Sequence, residues 1–157
     1  DRVLPRWFPS HHLPPGELGA SRYVDQVIGA FFLVRAPLFR RLGGFDERYF
    51  IYFEEVDFAL RALRTGARSY FLKDATIVHA ENVSSDQVPD VRLYHSLRSR
   101  LLFAYRHWPR WQAHLLLLLT MTVEPVARAV RAALAGDRAQ LRSTASAYRR
   151  LITAGRR

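Results

Sequence analysis

Gly43-Gly-Phe-Asp-Glu-Arg-Tyr-Phe-Ile-Tyr-Phe-Glu-Glu-Val-Asp57 sets a glycine turn, an aromatic run and a cluster of carboxylates within fifteen positions. Gly43 and Gly44 permit positive φ and close approach of backbone. Tyr49 to Phe53 form an apolar run expected to be buried. Glu54, Glu55 and Asp57 follow at the start of a stretch in which Val56, Leu60 and Leu63 recur at helical spacing. A helix is therefore predicted from about Glu54 to Thr65, ended by Gly66. Carboxylates in a first turn are favoured by the helix dipole whatever else they do. Asp57 and Arg61 stand four apart, the spacing of a surface salt bridge.

Working outward, Val27 to Val34 is a continuous apolar run of strand length, predicted as a strand buried on both faces. Gly29 interrupts it, marking either packing or close approach of a ligand. Pro37 opens a short helix that Gly43 closes. Residues 68–73 and 75–79 read as short strands, the second ending at His79. Residues 1–22, with Pro5, Pro9, Pro14, Pro15, Gly16 and a His11-His12 pair, show no sustained periodicity and read as a loop or irregular extension.

Composition frames these elements. At 157 residues and 49% hydrophobic content, one domain with a real core is expected. With no cysteine, disulfides and thiolate metal sites are excluded, so any metal must use oxygen or imidazole. The first residue is Asp1 and no stretch reads as a signal peptide, so a natural N-terminus upstream is expected. Charge divides the chain. Residues 1–89 carry 11 Lys+Arg and 11 Asp+Glu, and residues 90–157 carry 13 and 3. We therefore expect a first part, 1–89, and a basic helical part, 90–157.

In that second part, Val91 to Trp108 places Leu93, Leu97, Leu101, Leu102 and Tyr105 on one helical stripe. Its arginines, among them Arg92 and Arg98, match phosphate oxygens in a fork, or equally form a solvated face. Trp108 and Trp111 precede the apolar run 114–123, which Glu124 and Pro125 break. That run falls short of the roughly 20 residues a bilayer requires. It fits a helix lying in a membrane interface, or a core helix docked on other protein. Residues 126–157, broken at Gly136-Asp137, read as two more helices.

Ile28-Gly-Ala-Phe-Phe-Leu-Val-Arg35, Leu42-Gly-Gly-Phe-Asp-Glu-Arg-Tyr-Phe50, Phe53-Glu-Glu-Val-Asp-Phe-Ala-Leu-Arg61 and Ile77-Val-His79, in that order, resemble family 2 glycosyltransferases. Within that family they are similar to the rhamnosyltransferase-like and galactofuranosyltransferase-like enzymes of bacterial cell-surface glycan synthesis. The resemblance covers roughly residues 24–110. It implies an α/β chain, the acceptor-side part of a GT-A domain followed by amphipathic helices, with the nucleotide-binding half and its Asp-x-Asp motif upstream. It also implies a nucleotide-sugar donor, a lipid-linked or glycan acceptor, and Mn²⁺ or Mg²⁺. The place of work would be the cytoplasmic face of the plasma membrane.

By the same resemblance Glu54-Glu55 match the acidic motif, with Glu55 the general base of an inverting transfer and Asp57 the fallback. His79 would help to hold the metal. Gly29, Ala30, Gly43, Gly44, Phe45, Asp46 and Glu54 would line the donor and acceptor site, with Arg92 and Arg98 near the diphosphate. Two other classes stay open: a non-catalytic module that binds a membrane or a partner, and a basic nucleic-acid-binding module. The sequence pI of about 10.9 invites the second, but the charge is dispersed among leucines and carries no nucleic-acid motif. No nucleic-acid partner is expected.

Overall fold

The computed structural model describes residues 19–78 and 88–154. His79, His11 and His12 lie outside the described residues. The described chain is mostly helical, with one small sheet. Strand β1 (Arg22–Val24) pairs antiparallel with β2 (Ser69–Phe71), Tyr23 facing Tyr70. Their rings meet edge to face at 5.2 Å, and the Arg68 guanidinium covers Tyr23 at 4.3 Å.

Residues 27–34 are not the doubly buried strand that their composition predicts. Gly29–Phe31 form a 3₁₀ turn, and Ile28, Phe31 and Leu33 are exposed, Leu33 by 91%. An apolar run becomes a central strand only when neighbours supply ladder hydrogen bonds, and among the described residues the sheet has two strands. For the same reason Ala75 to Val78 carry no strand, and Val78 is fully exposed.

Phe32 turns inward instead. With Phe39, Phe45 and Phe58 it makes a cluster of rings 5.5–5.8 Å apart, the core beneath the glycine turn. Phe39 comes from α1 (Ala36–Arg41) and Phe58 from α2 (Glu54–Arg64). Between them α1 ends in a Schellman arrangement: the Gly43 N–H bonds to the Arg40 carbonyl at 3.0 Å and the Gly44 N–H to the Phe39 carbonyl at 2.9 Å. Both glycines have φ of +73°.

A Cβ on Gly44 would lie 3.3 Å from the Phe39 ring, whereas one on Gly43 would meet nothing within 4 Å. Gly44→Ala is thus expected to lose about 1–3 kcal/mol, combining left-handed strain with the ring contact, and Gly43→Ala about 1 kcal/mol. Urea unfolding of both variants checks the difference. Equal losses would show that the ring yields freely.

The aromatic run is only partly buried. Tyr49 is 5% exposed, yet Phe50 is 76% exposed. Tyr52 and Phe53 have φ of +67° and +71°, conformations unfavourable for aromatic residues. They are held from α3 (Pro89–His107). Ser99 donates to the Ile51 carbonyl at 2.8 Å, and the Phe103 ring lies 5.5 Å from that of Phe53.

Beyond α3 the chain is helical. Its corner at Trp108 and Pro109 leads into α4 (Arg110–Met121), then α5 (Val123–Leu134) and α6 (Arg138–Ala154). The α3 helix packs on α4 and α6, and α5 packs on α6. The predicted break at Gly136-Asp137 is present: Gly136 has φ of +67°, and the Asp137 carboxylate accepts from the Gln140 N–H at 2.9 Å.

The apolar run does not stop at Glu124-Pro125. One residue, Thr122, separates α4 from α5, and together Arg110–Leu134 are long and apolar enough, by length and composition, to cross a membrane. Glu124 is tolerated because its oxygens accept from Arg100 on α3 and from Arg128, the latter at 2.8 Å. Pro125 is tolerated because it falls in the first turn of α5, where an N–H has no helical partner of its own.

Candidate functional site

Glu54 and Glu55 open α2 directly after the two left-handed aromatic residues. Each has its Oε2 shielded from solvent with no hydrogen-bond partner among the described residues. Burial, partly offset by a backbone hydrogen bond and reinforced by the charge of Glu55, raises the Glu54 carboxyl above its ordinary range. Gly29 lies against this pair. A Cβ there would sit 3.8 Å from both Cδ and Oε1 of Glu55. Gly29, with Ala30 beside it in the 3₁₀ turn, therefore joins Glu54 and Glu55, although these residues are far apart in sequence.

The other predicted residues gather nearby on a different set of contacts. Gly43, Gly44, Phe45 and Asp46, with Arg61 and Arg106, line a cleft of about 180 Å³. Asp46 accepts from the Arg48 backbone N–H at 3.1 Å and from its guanidinium at 2.7 Å, and is also ion-paired with Arg106.

Asp57 is fully buried. Its pair with Arg61, at 2.6 Å, is thus an interior contact rather than the surface salt bridge that the spacing predicts. Arg61 passes on through the turn, donating to the Leu42 carbonyl at 2.7 Å and to the Gly44 carbonyl at 2.8 Å. From α3, His107 Nε2 reaches Asp57 Oδ1 at 2.7 Å and Arg106 Nε lies 3.3 Å from the same oxygen. Arg64 Nη1 stands 3.0 Å from His107 Nδ1. A guanidinium only donates, so Nδ1 accepts and Nε2 carries the proton that Asp57 receives.

Tyr49 lies against this carboxylate. Burial first, and then the Asp57 charge, pushes its phenol up to about 12. Both oxygens of Asp57 are engaged, whereas Glu55 keeps an oxygen unshared among the described residues.

Arg98 donates to the Arg48 carbonyl at 2.7 Å, supporting the aromatic run. Arg92 is exposed in the first turn of α3. Sequence reading missed Arg106 and His107 as partners of the acidic helix, and Arg64 within it as the residue that meets His107. Nothing in local spacing marks them, because Asp57 and His107 are 50 positions apart. Among the described residues, no three or more His, Asp and Glu side chains converge to hold a metal ion.

No family model matches the chain, and no solved structure matches it. It is similar to an N-acetylglucosaminyl-diphospho-decaprenol L-rhamnosyltransferase of Mycobacterium tuberculosis, 36% identical over 97 residues, which are 61% of this chain and 32% of that protein. It is similar to the rhamnosyltransferase WbbL of Escherichia coli, 34% identical over 67 residues, 43% of this chain and 25% of that one. With the O-antigen biosynthesis protein RfbC of Myxococcus xanthus it shares 30% identity over 115 residues, 68% of this chain and 9% of the other. The chain thus spans about a third or less of the curated relatives it matches. Over that part, the relatives' names support kinship with glycosyltransferases of glycan biosynthesis.

Proposed function

We propose that the chain is the acceptor-side part of an inverting family 2 glycosyltransferase of GT-A architecture. It would move a sugar from a nucleotide donor to a lipid-linked or glycan acceptor in bacterial cell-surface glycan synthesis. The observation that carries this reading is the Glu55 carboxylate, fixed at a helix start with an oxygen that no group among the described residues uses. The similarity to named rhamnosyltransferases makes rhamnose the first donor sugar to test.

In this reading the acceptor hydroxyl loses its proton to Glu55 as its oxygen attacks the anomeric carbon. The bond to the nucleoside diphosphate breaks on the opposite face. Asp57, with no unshared oxygen, positions the site: through Arg61 and Arg106 it holds the Gly43–Asp46 turn against α2. Burial raises the carboxyl of the neighbouring Glu54, so that its charged form is disfavoured beside Glu55.

Mn²⁺ or Mg²⁺ would neutralise the leaving diphosphate. The described carboxylates supply too few ligands on their own, so His79 would have to stand among the ligands of such an ion. Work at the cytoplasmic membrane face completes the proposal.

The test is calorimetric titration of the chain with nucleoside diphosphates and nucleoside-diphospho-rhamnose, with Mn²⁺ present or chelated. Metal-dependent binding that His79→Ala weakens about tenfold or more is the expected result. A folded chain that binds neither ligand would remove donor binding from this part of the protein.

A further inference from the structure

The α4–α5 segment has a face that the rest of the described protein leaves open. Trp111, Leu115, Leu118, Val123, Val126 and Val130 recur every three to five residues, and all are exposed, Trp111 by 66% and Val126 by 62%. Only 11% of the most apolar window of Arg110–Leu134 is buried, whereas a core helix would be mostly covered. The opposite side is fully engaged. Ala113, Thr120 and Ala132 are buried, and Arg100 donates to Thr120 Oγ1 at 2.8 Å as well as to Glu124.

We infer that this face seats on an anionic lipid surface, with α4–α5 lying along the headgroup plane. The inference deepens the membrane part of the reading above, and its test needs no transfer activity. Three observations favour lipid as the occupant. The first is charge. Residues 90–157 hold 13 arginines against 3 acids, and each acid is engaged inside the protein: Asp90 by Ser146 at 2.8 Å, Glu124 by Arg128 at 2.8 Å, and Asp137 by the Gln140 N–H at 2.9 Å. Exposed Arg110, Arg131, Arg138 and Arg142 therefore give these helices an unopposed positive field, which anionic headgroups complement. The second is composition: the face is aliphatic, with Trp108 and Trp111 at one end, where amphipathic rings meet an interface.

The third is orientation. The Arg100–Glu124–Arg128 cluster occupies the middle of the segment. Crossing the bilayer would carry these charges toward its centre at a cost of several kcal/mol. Lying flat leaves them on the protein side, while the aliphatic side enters the acyl boundary.

The experiment is co-sedimentation of the chain with vesicles of phosphatidylcholine alone and of phosphatidylcholine mixed with phosphatidylglycerol. Wild type is compared with the Leu118→Glu/Val126→Glu double variant. Both positions are exposed, so circular dichroism should be unchanged. Binding to the anionic vesicles, weakened by salt and reduced about tenfold or more in the variant, is expected. Equal binding to both lipids, equal binding by the variant, or no binding by folded wild type would overturn the inference. So would a wild-type dimer that the variant makes monomeric without vesicle binding, since the face would then meet a second copy. Vesicle binding without donor binding would remove donor binding from this part of the protein and leave this inference standing.

Discussion

Asp57→Ala is expected to destabilise the protein by about 3–5 kcal/mol, the usual cost of removing one partner from a buried ion pair. Asp57 takes Arg61 and His107 at 2.6 and 2.7 Å, with Arg106 close by. Its removal leaves two guanidinium groups and an imidazole N–H facing a void, and frees Arg61 from the turn it holds at Leu42 and Gly44. Asp57→Asn retains the volume and one acceptor but loses the charge. It also turns an amide N–H₂ toward a donor already present, so it should lie only slightly below Ala in cost. Urea unfolding of the three proteins measures this. A loss under about 1 kcal/mol for Ala would mean that α2 and the turn are held by the phenylalanine cluster alone.

Glu55→Gln should lower transfer about 10²–10⁴-fold, the range for a positioned general base, in whatever length of the protein carries activity. Donor binding should change little, because the amide keeps the size and the contact with Gly29, where a Cβ would stand 3.8 Å from Oε1. The signature is a fall in kcat at nearly constant donor KM. Glu55→Asp withdraws the carboxylate by one methylene and should fall between the two. Both variants should keep wild-type stability, since Glu55 Oε2 makes no hydrogen bond among the described residues that substitution would break. Transfer at the wild-type rate by the Gln variant would end the base assignment for Glu55. The pairing of Asp57 would still argue against moving that role there.

Much of this arrangement is legible in the sequence because it is local. Spacing at Val56, Leu60 and Leu63 locates α2, and Gly66, with φ of +85°, stands just past its end as its residue type predicts. The turn at Gly43-Gly44 and the break at Gly136-Asp137 announce themselves for the same steric reason.

Long-range features are not legible in this way. Arg61 at i+4 from Asp57 reads as a surface pair because nothing nearby in sequence shows that Arg106 and His107 close over it. The run at 27–34 has the composition of a central strand, but strand formation depends on neighbours that composition cannot supply. Counting apolar residues stops at Glu124, whose charge Arg100 of another helix helps to satisfy, so α5 extends the segment past the point where the count ends.

His107 and Trp108 are consecutive, yet they serve opposite surfaces. The His107 side chain is 2% exposed and bonded to Asp57, whereas Trp108 is 44% exposed beside the open aliphatic face. One peptide bond therefore separates the contact that anchors the acidic helix from the start of the open aliphatic stripe, and the Pro109 corner stiffens the junction. The corner works as a ruler with no slack. On the proposed lipid seating it would fix the height at which Glu55 stands over a bilayer, and so would favour acceptors whose reactive hydroxyl rides at that height. On the same proposal, lengthening it by a few flexible residues should change which acceptors are reached without altering a single atom of the carboxylate.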